Sequence, residues 1–402
     1  MPNFKSRAKE IENAVVAWRR HFHAFPELSF KEAGTSKYIA SELEKMGCEN
    51  ICIGTAGEPT GVIADIAGAF PGKRAALRAD IDALPVLEET GLEYASKYEG
   101  VMHACGHDGH MAMALGAAKM LCEVKDELHG SVRLIFQPSE ESPMFIQGAK
   151  AVVKEGRALA GVDAIFGVHL WSPLADGKLG YSKGALMACS DSWKISITGK
   201  GGHGASPHET HDPMMAAGQL ICALQTFVSR ELNPLKSAVL TIGIVKAGTA
   251  FNVIPASVEM VGTARSFEKQ VSCGTEAFVR RMAENICAAF RCKAEVAYSH
   301  DLPPTVNTPE MALLGAEVGR EIFGEENVLE TQPTMAGEDF SCYLENVPGS
   351  FFFIGVGDDA KGTAWPHHHC RFNIDEDVLY KGAAFEASCV WEFLNGKGRH
   401  AV

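Results

Sequence analysis

Residues 131–141 read SVRLIFQPSEE. A short apolar run closed by a turn residue is the mark of a buried strand, and Pro138 closes this one. Beyond the proline stand Ser139 and two adjacent glutamates, Glu140 and Glu141. The pattern recurs along the chain. KRAALRAD (73–80) leads into Asp80 and Asp82, and VDAIFGVHL (162–170) ends in His169. GVIADIAG (61–68) and FFFIGVG (351–357) are further strand candidates, with helical patterns near 108–123 and 147–158 between some of them. Alternation of this kind predicts an α/β domain: a largely parallel central sheet flanked by helices. In such sheets ligands bind outside the carboxyl ends of the strands, where these polar residues collect.

HACGHDGHMAMALGAA (103–118) adds His103, Cys105, His107, Asp108 and His110 within eight positions. On a helix, residues two apart point about 200° apart, whereas in an extended segment they share a side. Cys105 and His107 are therefore expected side by side just ahead of a helix. Asp108 is expected to cap that helix, with Met111, Leu115 and Ala118 as its buried stripe. A histidine-rich cap beside a buried thiol is the plainer reading of the same letters. Adjacent glutamates also have a specific use. In an extended segment their side chains diverge, so one can hold a metal while the other faces substrate as a general base.

The style changes at Ser190. SDSWKISITG alternates apolar and polar residues as a half-exposed strand does. A helix from Pro213 to about Leu232, two strands flanking a turn near Asn252, a helix from about Gln270 and the strand CKAEVAYSH follow. The order β-α-β-β-α-β is the ferredoxin-like arrangement. It predicts a second domain over 189–299, inserted into a first formed by 1–188 and 300–402. The first helix is expected over residues 4–24, the second from near Lys31 to Met46, and the last after Asp375 as its cap.

At 402 residues two domains are expected, and 46% hydrophobic with 22% charged residues is ordinary for a soluble globular chain. A net charge of −13 argues against nucleic acid or an anionic membrane as partner and fits a small-molecule ligand. The opening MPNFKSRAKEIENAVVAWRR has no apolar core of secretory type, and no stretch approaches the ~20 apolar residues of a membrane span. KDEL at 125–128 is internal and carries no address. Twelve cysteines without a CxxC pair suit free thiols in a reducing compartment. A cytoplasmic protein is the expectation.

The assembled motifs resemble the M20 metallopeptidases, in particular the branch of aminoacylases, hippurate hydrolases and auxin-conjugate (IAA-amino acid) amidohydrolases. WRRHFHAFPELSFKE, LRADIDALP, HACGHDGHMAMALGAA, QPSEES, FGVHLW, GKGGHGASPH, FNVIP, GTARSF and AGEDFS carry the resemblance across nearly the whole chain. It implies two divalent ions, Zn²⁺ or Mn²⁺ with Co²⁺ or Ni²⁺ as further candidates. The ligands it implies are Cys105, His107, Glu141, His169 and one histidine of the run 367–369. The family's spacing to an aromatic, here Phe372, selects His368. Glu140 matches the base that activates the attacking water, and Asp80 and Asp82 match residues that orient ligands. In the inserted lid or dimerisation domain, His203 matches a histidine that stabilises the oxyanion. Asn252 looks like a second polar contact, and Arg265 suits a substrate carboxylate.

The activity implied is hydrolysis of N-acyl amino acids by a homodimer or homotetramer. A dipeptidase or aminopeptidase, or a non-catalytic protein that kept the fold, competes with it. Three departures from the family pattern stand out: Ser139 where many relatives have alanine, SPMFIQGAK where a glycine run is common, and Cys370 where many have proline.

Overall fold

The structure is a computed structural model, and it describes residues 2–55, 57, 59–142 and 148–396. Most of SPMFIQGAK, residues 143–147, lies outside the described residues. The chain divides into two compact units. One comprises Met1–Leu186, Val306–Gln332 and Asp339–Val402, and the other Met187–Thr305 and Pro333–Glu338.

The first unit is built on an eight-stranded sheet. Its spatial order is Glu49–Ile53, Val62–Ala67, His129–Gln137, Phe70–Asp80, Ala164–Ala175, Gly349–Gly357, Leu179–Tyr181 and Val328–Glu330. The centre is parallel: Phe70–Asp80 pairs in parallel with both His129–Gln137 and Ala164–Ala175, and Ala164–Ala175 with Gly349–Gly357. Antiparallel pairings carry the sheet outward through Val62–Ala67 and Leu179–Tyr181. The central strands are buried on both faces, so they read as continuous apolar runs; the first seven residues of Ala164–Ala175 are all buried. Helices His107–Glu123 and Leu379–Leu394 pack on each other and on Phe70–Asp80.

Several boundaries differ from the sequence expectation. The first helix breaks at Ile11 into Phe4–Glu10 and Glu12–Ala24. Pro309–Phe323 adds a helix opened by the pair Thr308–Pro309, a start signal available in the sequence. The strand through His169 continues to Ala175, so His169 lies within the ladder, opposite Phe353. Asp375 caps a single 3₁₀ turn, Glu376–Val378, that leads into the last helix.

The second unit holds a four-stranded antiparallel sheet in the order Ala238–Ala247, Ser257–Ser266, Ser190–Thr198, Lys293–Leu302. The helices Pro213–Leu224 and Lys269–Ala289 pack against it. Trp193, Ile195 and Ile197 point into this core from alternate positions of their strand, with Leu220 and Val279 facing them from the helices. Asp212 caps the first of these helices by accepting from the Met214 N–H, with Pro213 at the first helical position. That helix stops at Leu224, and Phe227–Glu231 follows as a π turn.

Candidate metal centre

The site gathers at the carboxyl end of the parallel strands of the first unit. Phe70–Asp80 delivers Asp80 and, two residues on, Asp82. His129–Gln137 delivers Pro138, then Ser139 with φ 59°, then Glu140 and Glu141. The turn is tight: Gly148 donates its N–H to the Ser139 carbonyl at 2.9 Å, and a Cβ on Gly148 would lie 1.6 Å from the Pro138 oxygen. Only glycine fits there.

Asp82 organises the two glutamates. Its Oδ1 accepts the Glu140 N–H and its Oδ2 the Glu141 N–H, both at 3.0 Å, while the Ser29 hydroxyl donates to Oδ2 at 2.6 Å. The Asp82 backbone oxygen also accepts from His107 Nδ1 at 2.9 Å. That bond fixes the tautomer of His107 and leaves Nε2 as the acceptor nitrogen. Nε2 is buried and has no hydrogen-bond partner among the described residues. Glu141 Oε1 lies 4.0 Å from it and Asp80 Oδ2 3.7 Å.

His169 shows the same division. Its Nδ1 donates to the Leu170 oxygen at 2.7 Å, and its Nε2 lies 3.5 Å from Cys105 Sγ. Donor atoms of Cys105, His107 and His169 fall within 4.8 Å of one another. The same holds for Cys105, Glu141 and His368, and for His107, Glu140 and Glu141.

The three consecutive histidines have three fates. His367 turns inward, with Nε2 2.9 Å from the Leu170 oxygen and its ring against Trp171 and His169. His369 stacks on Trp365 at 4.4 Å and accepts from the Arg371 N–H. His368, at φ 65°, donates its N–H to the Ala104 oxygen at 2.8 Å and sets Nε2 3.0 Å from Glu141 Oε1. Of the three, His368 is the one whose ring nitrogen joins a group of potential ligands.

Asp108 does not cap the helix. Gly106, at φ 89°, occupies the N-cap position, His107 is the first helical residue, and Asp108 sits buried in the first turn. Its Oδ2 accepts from Arg19 Nε at 2.9 Å and bonds His23 Nδ1 at 2.7 Å. A buried carboxylate is retained only when paired, and pairing takes precedence over capping here. The carboxyl is driven far below its usual range, Arg19 and His23 outweighing burial.

His110 forms a further group of potential ligands with Asp80 and His107, yet both its ring nitrogens already have partners. Its Nδ1 bonds Asp80 Oδ1 at 2.6 Å and its Nε2 accepts the Leu170 N–H at 2.8 Å. Sequence reasoning listed His110 but gave it no role, and missed the layer beneath. Arg78, fully buried, donates to Asp80 Oδ2, Gln137 Oε1 and Asp339 Oδ1 at 2.7–2.8 Å. Asp339 Oδ2 accepts from Gln137 and from the Ala149 N–H. The signal was present in LRADID and AGEDFS, whose charged residues sit in strand and loop positions too buried to be solvated.

The electrostatics fit a cation. Burial would lower His107, yet Asp80, Asp82 and Glu141 outweigh it and raise the ring to about 10. Burial, then Glu141 and Glu140, hold the Cys105 thiol well above its usual value. His368 is raised by its bond to Glu141. Burial, reinforced by His110 and His367, keeps His169 neutral and well below its usual value. Protons occupy a place where carboxylates call for positive charge, which a metal cation would supply as well. Together with the unpartnered Nε2 of His107, the thiol, imidazole and carboxylate donors suit a transition-metal ion.

In the second unit, His203 is exposed on a two-residue strand, Gly202–His203, paired with Val253–Ile254. Its Nδ1 accepts the Ala205 N–H at 3.0 Å, so the neutral ring carries its hydrogen on Nε2. Asn252 adjoins, its backbone oxygen accepting from Gly204. Arg265 is half-buried on Ser257–Ser266, and burial pulls its guanidinium down from its ordinary value. No hydrogen bond or ion pair engages that guanidinium among the described residues.

Residues 76–392 match the family described as Peptidase family M20/M25/M40, and the chain belongs to that family. It is 44% identical over 375 residues to N-acetyl-L-cysteine deacetylase of Bacillus subtilis, covering 93% of this chain and 87% of that protein. It is 42% identical over 392 residues to thermostable carboxypeptidase 1 of Saccharolobus solfataricus, covering 97% and 98%. The crystal structure of the Bacillus subtilis YXEP protein, a dinuclear metal binding peptidase from the M20 family, matches with a TM-score of 0.84 at 38% identity over 96% of this chain and 99% of that one. The protein is a hydrolase of the M20 family, with side-chain groups able to hold metal. None of its described helices is long and apolar enough to cross a membrane.

Proposed function

We propose that the protein is a metal-dependent amidohydrolase that cleaves the amide bond of N-acyl amino acids. The observation that carries this reading is the buried, partnerless Nε2 of His107, grouped with Glu140 and Glu141, which hang from one carboxylate, that of Asp82. Cys105, His107, Glu141, His169 and His368 would hold two divalent ions, Zn²⁺ or Mn²⁺. Bound there, such ions polarise the amide carbonyl and lower the pKa of water toward neutrality.

The chain's own groups do the rest. Glu140 takes the proton of the attacking water and returns it to the amide nitrogen, so that the amine leaves neutral. Asp82 keeps Glu140 in position for both transfers, and His110 holds Asp80 beside the Nε2 of His107. His203, with its hydrogen on Nε2, and Asn252 are assigned to the developing oxyanion. Arg265, with no hydrogen bond among the described residues, is assigned to the substrate carboxylate. A deacetylated N-acyl amino acid and the C-terminal residue freed by a carboxypeptidase share that carboxylate, so the names of both relatives fit an arginine in this role.

The second reading is peptidase action on unblocked dipeptides, a course open to a chain that resembles proteins named as peptidases. Metal-loaded protein assayed on N-acetyl, benzoyl and indole-acetyl amino acids beside free dipeptides separates the two. Chelator-sensitive turnover of the blocked substrates supports the proposal, and turnover of free dipeptides alone replaces it. Glu140→Gln is expected to keep its metal content while losing about 10²- to 10⁴-fold in kcat. Near-normal turnover in that variant would remove Glu140 from its role.

The assembly we assign is a homodimer or homotetramer. The edge strand Ala238–Ala247 exposes Val239, Ile244 and Val245, and the helix Pro213–Leu224 exposes Met214, Met215 and Ile221. An apolar edge of this length calls for a second copy of the chain.

A further inference from the structure

Twelve cysteines are free, and Cys48 and Cys122 stand out because they touch. Their Sγ atoms lie 3.6 Å apart and both residues are half-buried. Cys48 follows Gly47, which ends the helix Ala33–Met46 at φ 81°, and its N–H is held by the Leu43 oxygen. Cys122 sits in the last turn of His107–Glu123, at the opposite end of that helix from His107. Fifteen residues at 1.5 Å each separate it from the metal centre by about 22 Å.

The two thiols are not equivalent. Across the 3.6 Å contact either sulfur can donate to the other. The contact, with Lys125 and Lys119 close by, draws the Cys122 thiol down, while the same contact and burial push Cys48 up. An attacking thiolate beside a protonated partner is the arrangement a dithiol needs to close.

We propose that Cys48 and Cys122 form a redox-active dithiol that a hydroperoxide converts into an intramolecular disulfide. The Cys122 thiolate attacks one peroxide oxygen and the O–O bond breaks. With hydrogen peroxide the leaving hydroxide takes up a proton to become water, and Cys122 becomes a sulfenic acid. Cys48 then gives up its proton and attacks that sulfur. The S–O bond breaks, the departing oxygen leaves as water, and the S–S bond forms. Two thiols and one hydrogen peroxide yield one disulfide and two waters. The sulfurs have about 1.5 Å to close to reach a bond of about 2.05 Å. The cross-link joins positions 74 apart in sequence, a long loop whose closure restricts the unfolded chain.

The test is a thiol map of the full-length protein, metal-loaded and fully reduced, before and after graded hydrogen peroxide. Free thiols are alkylated and the digest is read without reduction. The expected result is a cross-linked pair of peptides carrying Cys48 and Cys122, lighter than their sum by two hydrogen atoms and restored to free thiols by dithiothreitol. A rise of a few degrees in Tm should accompany it. In Cys48→Ser, Cys122 should stop at the sulfenic acid and be captured by a 1,3-diketone probe. The proposal fails if both cysteines stay alkylatable at doses that oxidise other thiols, or if Cys122 pairs with a different cysteine. The wild-type map decides by itself even if the variant does not fold.

Discussion

At the scale of the residue, Asp82 does more than a ligand could. One carboxylate receives two backbone N–H groups and a hydroxyl, and its own carbonyl sets the tautomer of His107. Asp82→Ala leaves two partly buried N–H groups without acceptors, a loss of about 1–3 kcal/mol each. We expect metal affinity to fall about 10- to 100-fold, read by competition with a chelating dye. Glu32 is the second telling residue. Burial, then Asp82, push its carboxyl from 4.5 up to about 8. The folded metal-free chain thus holds a proton that the unfolded chain releases. The Glu32 contribution to stability should decline as pH rises from about 4.5 to about 8 and level off above that, while His107 adds its own decline up to about 10. Glu32→Gln removes this slope, and urea midpoints across the range would show it. A slope unchanged in the variant would place the titration elsewhere. Little of this was legible in the letters. The ligand types were, because Cys105, His107, Glu140 and Glu141 are rare companions at strand ends. The partners of Asp82 were not, because backbone N–H groups have no letter.

At the scale of the element, the site depends on how a strand or loop hands over to a helix. Gly106 holds φ 89° between Cys105 and His107, and a Cβ there would lie 3.3 Å from Leu170. Spacing alone placed Cys105 and His107 together in extended chain. In the structure a left-handed glycine brings them together, with His107 already inside the helix. Gly106→Ala should cost about 1–2 kcal/mol in backbone strain. It should weaken metal binding by more than its effect on Tm suggests, because the turn sets the spacing of two donors. Calorimetric titration with Zn²⁺ beside thermal unfolding separates the two effects. Strand positions were readable from their apolar runs, and the inserted strands from their alternation. The break at Ile11 was not, since both halves continue one amphipathic pattern. Asp108 misled because a capping residue and a buried ion-pair partner are the same letter.

At the scale of the whole molecule, the exposed edge strand predicts association. Val245→Lys puts a charge into that edge. It should yield a smaller species by light scattering, with the first unit's metal content unchanged; an unaltered mass would move the interface elsewhere. Chain order has a consequence of its own. The ligand set assigned here opens with Cys105 and His107, continues through Glu141 and His169, and then waits for His368. The strand Gly349–Gly357, wedged between Ala164–Ala175 and Leu179–Tyr181, arrives equally late. During synthesis the four-stranded sheet of the second unit, complete by Leu302, can form while the first unit still lacks a central strand. A nascent chain therefore exposes a thiol and two imidazoles for the time taken to translate roughly two hundred further residues, about 10–40 s at common elongation rates. Until the ribosome has finished, the protein is a half-built chelator, and faithful metal loading belongs to the period after release.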